Sequence, residues 1–207
     1  MTAGLVASVA VICGGLLWLA SGIYRIGRVS RGTPIPERPN DALLLIDLQT
    51  IFWEAGPYDP VARSSAASAI LSEVQKAKAR SAPVIAVRQE WSIPSTKWVA
   101  RLMMNGQAVE GTPGTDIAAP FAGLADHVIV KRVQDAFETG ALDTLLARLD
   151  VGRLTIVGLD YAYCVQKTAL AARGRGYKVV VVEAGTLSAG PSERTKTRMI
   201  AADVVIG

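Results

Sequence analysis

The stretch that decides the fold is RLTIVGLDYAYCVQKTALAARGRGYKVVVVE, residues 153–183. It opens with an apolar run at 153–158, continues with a helical pattern at 163–173 that two glycines close, and ends with a second apolar run at 178–183. Short runs that are apolar on both faces and are joined by a helix are typical of parallel strands in a covered sheet.

The same alternation extends through the rest of the chain from Asp41 onward. Further strands are predicted at 42–47, 83–88, 127–131 and 203–206, and further helices at 61–80, 142–149 and 191–201. The stretch 89–125 between two of the strands is long and irregular, and connections of this length usually carry function or contain short helices. The pattern predicts one α/β domain at 41–207 with three layers, α/β/α, around a parallel sheet.

The N-terminal segment Ala3–Tyr24 has 22 residues without a formal charge, enough for a helix to cross a bilayer of about 30 Å. Basic residues follow it at once, and they favour a cytoplasmic location for the following domain: Arg25, Arg28 and Arg31. We therefore predict a single-pass transmembrane anchor at 1–24. Residues 25–40 contain three prolines and are predicted to form a semi-extended linker.

Two alternatives to the anchor stay open at this point. The segment Ala20-Ser21-Gly22 resembles a signal-peptide cleavage site, although no cationic residue precedes the apolar run. An overlong start-codon assignment with a soluble mature protein is the other alternative.

The composition excludes several classes of protein. The 207 residues include 22 Lys and Arg against 18 Asp and Glu, one His and two Cys, and the mean hydropathy is +0.30. Disordered and disulfide-framework proteins do not have this composition. The excess of positive charge is concentrated before residue 41, and the domain has no basic patch with interleaved aromatics, so no nucleic-acid partner is expected. With one His, no metal-site or cofactor motif occurs.

Three reactive side chains follow the ends of predicted strands: Asp47, Lys131 and Cys164. Each alone has an ordinary explanation as a turn residue, a solvated lysine or a buried cysteine. Together they lie at the edge where parallel sheets bind ligands. A helix N-terminus and an ammonium lower a thiol pKa, and a carboxylate can carry the thiol proton to a leaving amine. His127 begins the strand that Lys131 ends, about 13 Å away, and is not a partner for the cysteine.

These residues resemble those of the isochorismatase-like cysteine hydrolase superfamily. The resemblance covers residues 41–207 through three blocks: ALLLIDLQTIF, VIVKRVQDAF and TIVGLDYAYCVQKTALAARGRGYKVVVVEAGTLS. It implies a six-stranded parallel sheet and hydrolysis of a C–N bond through an acyl-enzyme on Cys164, with Asp47 as acid/base and Lys131 as the family lysine. It also implies a cis peptide at Leu159–Asp160, which turns the Asp160 N–H toward an oxyanion hole shared with the Cys164 N–H. Family members often form dimers or tetramers, so self-association is expected.

The sequence departs from the family pattern beside the nucleophile, where Asp160-Tyr161-Ala162 replace a small residue followed by Thr-Asp. If the Asp160 carboxylate faces the thiol, it raises the thiol pKa and favours a neutral or cationic substrate. If it turns away, only its backbone matters. The pocket walls are predicted from aromatic and polar residues that follow strand ends or flank the motifs: Phe52, Trp53, Gln89, Trp91, Phe137 and Tyr161.

The leading hypothesis is a membrane-anchored cytosolic amidohydrolase that acts on a small amide or ureide. The first alternative is a membrane-tethered binding module that has the fold without turnover. The second is a hydrolase acting on a vinyl ether such as isochorismate, which the acidic neighbour of the cysteine disfavours. Nicotinamide is also disfavoured, because the metal-binding histidines of nicotinamidase members are missing.

Overall fold

The domain is built on a six-stranded parallel sheet in the order β3-β2-β1-β4-β5-β6. The structure is a computed structural model that describes residues 2–207, with side chains from residue 8 onward. The strands are β1 (Asn40–Ile46), β2 (Val84–Gln89), β3 (His127–Lys131), β4 (Val151–Gly158), β5 (Lys178–Thr186) and β6 (Val205–Ile206). The predicted parallel sheet is confirmed.

Helices cover both faces of the sheet, and an apolar core fills each interface. They are α1 (Thr2–Gly27), α2 (Thr50–Trp53), α3 (Pro60–Ala79), α4 (Pro94–Met103), α5 (Ala141–Arg148), α6 (Gln166–Gly174) and α7 (Glu193–Ile200). Helix α4 and a short 3₁₀ turn at Ala119–Phe121 occupy the stretch that the sequence leaves irregular. The three-layer α/β/α architecture is confirmed.

Helix α1 contains one candidate membrane span, Ser8–Gly27, by length and composition. Only 11% of this window is buried, whereas a core helix is buried over most of its length. The exposed apolar side chains are concentrated before residue 25, and Ile26 near the end of the helix is buried. The helix therefore projects from the domain and is attached to it at its C-terminal end.

The segment between α1 and β1 is held by buried charges. The Asp135 carboxylate accepts a hydrogen bond from the Ser30 N–H at 2.6 Å. The Arg175 guanidinium, 2% exposed, donates to the Ser30 carbonyl at 3.2 Å and to both Asp143 oxygens at 2.8 and 3.1 Å. Residues 28–39 have no regular secondary structure, and two residues distant in sequence fix this segment against the domain.

Replacing Arg175 with alanine is expected to lower the free energy of unfolding by about 2 to 3 kcal/mol, because Asp143 and the linker carbonyls lose a buried donor. Urea denaturation of the full chain in detergent micelles measures this loss. Arg194→Ala, which removes an exposed guanidinium from α7, is the control and should change stability by less than about 0.5 kcal/mol. Equal effects of the two substitutions would contradict the role given to Arg175.

Candidate active site

The order of the strands creates a crevice between β1 and β4, because the chain leaves these two neighbours toward opposite halves of the sheet. Asp47 directly follows β1 with φ 52°, a left-handed conformation that aspartate tolerates better than most residues. Cys164 follows β4 in a π-helical turn, Tyr161–Val165, that leads into α6. Asp47 and Cys164 therefore come from the two strands that border the crevice.

Lys131 contacts both Asp47 and Cys164. Its Nζ lies 3.0 Å from Asp47 Oδ2 and 3.3 Å from Cys164 Sγ. The ammonium also donates to Gln89 Oε1 and, at 3.3 Å, to the carbonyl of Val133. Lys131 has no exposed surface, so this charge is held in place by fixed acceptors on several sides.

Gln89 positions this lysine. It is paired with Lys131 in the register of β2 and β3 and is fully buried. Its own backbone is held by Gln49, whose Oε1 accepts from the Gln89 N–H at 2.6 Å and whose Nε2 donates to the Gln89 carbonyl at 3.1 Å. The side-chain oxygen of Gln89, which we expected to contact substrate, is occupied by the ammonium.

Burial has the largest influence on the pKa of each of the three groups, Asp47, Lys131 and Cys164. It raises the pKa of Asp47 more than the attraction of Lys131 lowers it. Burial, and then the negative charge of Asp47, raise the pKa of the Cys164 thiol above its ordinary value, against the effect of Lys131. Burial alone would lower the pKa of Lys131, but the charges of Asp47 and Cys164 raise it. The expectation of a depressed thiol pKa was wrong, because desolvation of a thiolate outweighs one ammonium shared with a carboxylate.

The 3.0 Å contact between Lys131 and Asp47 indicates an ion pair, and the raised pKa of Cys164 favours a neutral thiol beside it. Asp47 Oδ1 is buried and has no hydrogen-bond partner within residues 2–207. The Asp47 side chain is within hydrogen-bonding reach of the Cys164 thiol, so it is the group available to take the thiol proton. Moving that proton from sulfur to Asp47 leaves one negative and one positive charge in the site, so the net charge of the buried group does not change.

The peptide bond between Leu159 and Asp160 is trans, as are all peptide bonds in the described residues, so the expected cis peptide was wrong. The turn is made instead at Gly158, whose φ is 117°, and a Cβ at this position would lie 2.1 Å from the Ile46 carbonyl oxygen. Hydrogen bonds from Leu159 N to Ile46 O (2.8 Å) and from Tyr161 N to Leu187 O (2.9 Å) hold both sides of the segment. A glycine turn supplies the bend without the cost of about 3 to 4 kcal/mol for a non-proline cis bond.

The Asp160 carboxylate has a structural role. It accepts from the Ala162 N–H at 2.8 Å, from the Ala189 N–H at 2.6 Å and from the Tyr58 hydroxyl at 3.3 Å. Burial raises the pKa of Asp160, and these hydrogen bonds oppose the rise. Of the two alternatives left open by the sequence, these contacts favour the one in which the Asp160 side chain turns away from the thiol.

A cavity of about 320 Å³ opens on the triad. The residues that line it are Asp47, Phe52, Tyr58, Gln89, Trp91, Met104, Gln134, Leu159, Asp160, Tyr163 and Cys164. Phe52, Gln89 and Trp91 were expected here. The sequence did not predict four other lining residues: Tyr58, Met104, Gln134 and Tyr163. Of these, only Tyr163, which directly precedes the cysteine, had a signal in the sequence.

Three expected wall residues pack elsewhere and do not line this cavity. The Trp53 ring packs edge-to-face against the Phe121 ring, with ring centroids 4.7 Å apart. Phe137 lies against Tyr177 and under the Arg175 guanidinium. Tyr161 is 2% exposed and belongs to the apolar core. Large aromatic side chains gain more from these apolar contacts than from a partly hydrated cavity wall.

The family model described as the isochorismatase domain matches residues 41–203. The chain belongs to the isochorismatase domain family. A comparison with curated proteins found no significant match.

Solved structures of the isochorismatase fold superpose on most of the chain. An isochorismatase family protein from Desulfovibrio vulgaris is 28% identical, with a TM-score of 0.69, and the alignment covers 82% of this chain and 93% of that one. Pyrazinamidase of Pyrococcus horikoshii in complex with zinc is 24% identical (TM-score 0.68, 82% and 99% covered). N-carbamoylsarcosine amidase from Thermoplasma acidophilum is 19% identical (TM-score 0.70, 81% and 95% covered).

The residues of this isochorismatase domain do not fit a zinc ion. No group of three His, Cys, Asp or Glu side chains able to hold a metal occurs in the described residues. His127 begins β3, at the end of the sheet opposite Lys131, and lines a surface groove with Asp126 and Asn40.

The raised thiol pKa predicts a slow, pH-dependent alkylation of Cys164. In a Cys13→Ser background, which leaves one thiol, the rate with iodoacetamide is expected to rise about tenfold per pH unit above neutrality, because the thiolate fraction does so below the pKa. Intact-mass spectrometry follows the reaction. In Asp47→Asn, which removes the nearby negative charge, the rate at a given alkaline pH should increase. A rate that is already constant above pH 7 would contradict the raised pKa.

Proposed function

We propose that this protein is a membrane-anchored cysteine amidohydrolase that cleaves a C–N bond of a small amide or ureide. The observation that carries this proposal is the placement of Cys164 Sγ and Asp47 Oδ2 on one buried ammonium, at 3.3 and 3.0 Å, at the base of a cavity. The amidases among the similar structures support the same reaction class.

The reaction begins when Cys164 Sγ attacks the amide carbonyl carbon and its proton passes to Asp47. Collapse of the tetrahedral intermediate breaks the C–N bond, and Asp47 returns the proton to the departing nitrogen, which leaves as ammonia or an amine. Water then attacks the thioester. Asp47 takes a proton from this water and returns it to the sulfur, so the acid product and the original thiol are formed.

Lys131 keeps the charge balance of the buried site throughout. It stabilises the Asp47 carboxylate in the resting state and the sulfur when its proton has moved. We assign the oxyanion to the Cys164 N–H, which lies in the turn that leads into α6. We do not assign the Asp160 N–H to the oxyanion hole, because that expectation depended on a cis peptide at Leu159–Asp160, and this peptide is trans.

Helix α1 would serve as the membrane anchor, with the domain on the side where Arg25, Arg28 and Arg31 follow it. The low burial of the Ser8–Gly27 window supports a span over a core helix. The intact mass of the protein extracted from membranes distinguishes an anchor, which is retained, from a signal sequence, which is removed.

A screen of primary amides and ureides for ammonia release tests the reaction. The full chain and its Cys164→Ala variant, both in detergent micelles, are compared side by side. We expect ammonia release from the unmodified chain alone, and a mass adduct on Cys164 during turnover. A binding module of the same fold would give neither signal.

A further inference from the structure

The C-terminal third of α1 lies against α4. A Cβ built on Gly22 would be 2.8 Å from the Ser95 carbonyl oxygen, so only a glycine permits this approach. Ile26 is buried in a cluster with Val99 and Ala100 of α4, and Leu19 packs against the same cluster. The apolar helix and α4 are therefore in direct contact over more than one helical turn.

This contact is continuous with the wall of the catalytic cavity. Trp91 belongs to the cluster that contains Ile26, and Phe52 and Met104 pack against it. All three line the cavity above Cys164. Gln134, another lining residue, donates its backbone N–H to the Ile26 carbonyl at 3.1 Å. The end of α1 thus supports the side of the cavity that faces α4.

The length of α1 determines the depth at which α4 would lie relative to a bilayer. Because Gly22 and Ile26 pack on α4, only the part of α1 before this contact can lie in the hydrocarbon layer; the 20 helical residues that precede Gly22 span about 30 Å, which is the thickness of that layer. If those residues cross the membrane, Gly22 and Ser95 lie at its surface. Arg25 and Arg28 then follow at the depth of the lipid headgroups.

Helix α4 has the pattern of an interfacial helix. Beyond the face buried against the domain, it exposes Trp98 by 50% and, four residues later, Leu102 by 64%. Met103, beside the cavity residue Met104, is 69% exposed. Arg101 provides positive charge on the same helix, whereas the charge of Lys97 is paired with Glu110 at 2.7 Å. Exposed Trp and Leu together with basic residues are typical of helices that lie in the headgroup region of anionic membranes.

The cavity has the chemistry of a site for an uncharged, apolar molecule. Its walls are mainly aromatic and aliphatic, and its two charged lining residues, Asp47 and Asp160, are both acidic. Lys131 balances the charge of Asp47, so Asp160 supplies the remaining negative charge, which disfavours an anionic substrate. Tyr163 at the edge of the cavity is itself 52% exposed, which extends the apolar surface outward from the site.

We propose that α4 lies in the membrane interface and that the substrate is an uncharged amide with an apolar tail, which reaches Cys164 from the bilayer. This inference rests on the proposed amidohydrolase function and on the membrane span of α1. It goes beyond them in stating the substrate class and the side from which the substrate enters.

The test uses the full chain in nanodiscs of phosphatidylcholine and phosphatidylglycerol, with butanamide and decanamide as the probes. Because each buried methylene contributes about fourfold, kcat/KM for decanamide should exceed that for butanamide by at least about tenfold. The double variant Trp98→Ser/Leu102→Ser should lose at least about fivefold for decanamide and keep the kcat/KM for butanamide. The matched control is Val61→Ser, which alters a 74% exposed apolar residue of α3.

A second measurement detects docking without turnover. In Cys164→Ala nanodiscs with brominated lipid, the fluorescence of Trp98, obtained as the difference from a Trp98→Phe variant, should be quenched. Unquenched Trp98, or a kcat/KM that does not rise from butanamide to decanamide, overturns the inference. Efficient hydrolysis of butanamide alone would overturn it and leave the proposed function intact. Hydrolysis of neither amide, with Trp98 quenched, would overturn the substrate class and retain the docking of α4; only the absence of ammonia release across the screen of amides and ureides would overturn the proposed function as well.

Discussion

Cys164→Ala is expected to reduce amide hydrolysis by at least about 10⁴-fold, because no other side chain at the cavity can form the thioester. The cost to folding should be small. The sulfur is one of four acceptors around Lys131 Nζ, and Asp47, Gln89 and Val133 remain. We expect the free energy of unfolding to change by less than about 2 kcal/mol.

The measurement pairs ammonia release with urea denaturation on the same preparations. Cys164→Ser is the matched control for shape and polarity. Its hydroxyl is a weaker nucleophile than a thiol in this site, so it should also be nearly inactive while folding like the parent chain. Substantial turnover by Cys164→Ala on a substrate of the parent chain would remove the covalent mechanism.

Lys131→Met is expected to lower the free energy of unfolding by about 3 to 5 kcal/mol, because it leaves the Asp47 carboxylate buried without its counter-charge. Methionine has nearly the length of the lysine stem, so the loss reports charge and not volume. The loss should depend on pH. The folded-state pKa of Asp47 is already raised, and removal of the ammonium raises it further, so the deficit is largest at neutral pH and shrinks as acidification protonates Asp47.

The matched control for this prediction is the double variant Lys131→Met/Asp47→Asn. Asparagine tolerates the left-handed backbone at position 47, where φ is 52°, and it removes the uncompensated charge. We expect the double variant to regain at least half of the lost stability and to remain inactive. Denaturation in urea between pH 5 and pH 8 measures both effects. A loss in Lys131→Met that is independent of pH and of position 47 would contradict the proposed charge pairing.

The sequence was sufficient to place the reactive side chains at one edge of the sheet. Asp47, Lys131 and Cys164 each follow a strand, and parallel strands end at a common edge, so the pattern predicted the edge although not the contacts. The direction of the thiol pKa could not be predicted, because it depends on how completely Cys164 is buried and on the sharing of one ammonium between two acids.

The cavity walls were predicted less well for a related reason. Side chains one or two residues apart in a helical segment point in different directions, and the sequence does not show which direction is the cavity. Phe52 lines the cavity, whereas Trp53 packs against Phe121. Tyr163 lines it, whereas Tyr161 is in the core. Tyr58 comes from a loop distant in sequence, and its link to Asp160 depends on the tertiary fold.

The docked segment before β1 affects how a water-soluble form of this domain should be designed. A version that starts at Asp41, where the family match begins, would lack the Ser30 groups that Asp135 and Arg175 bind. Two buried side chains of opposite charge would each lose a partner. A version that starts near Arg28 would retain both partners and remove most of the exposed apolar helix.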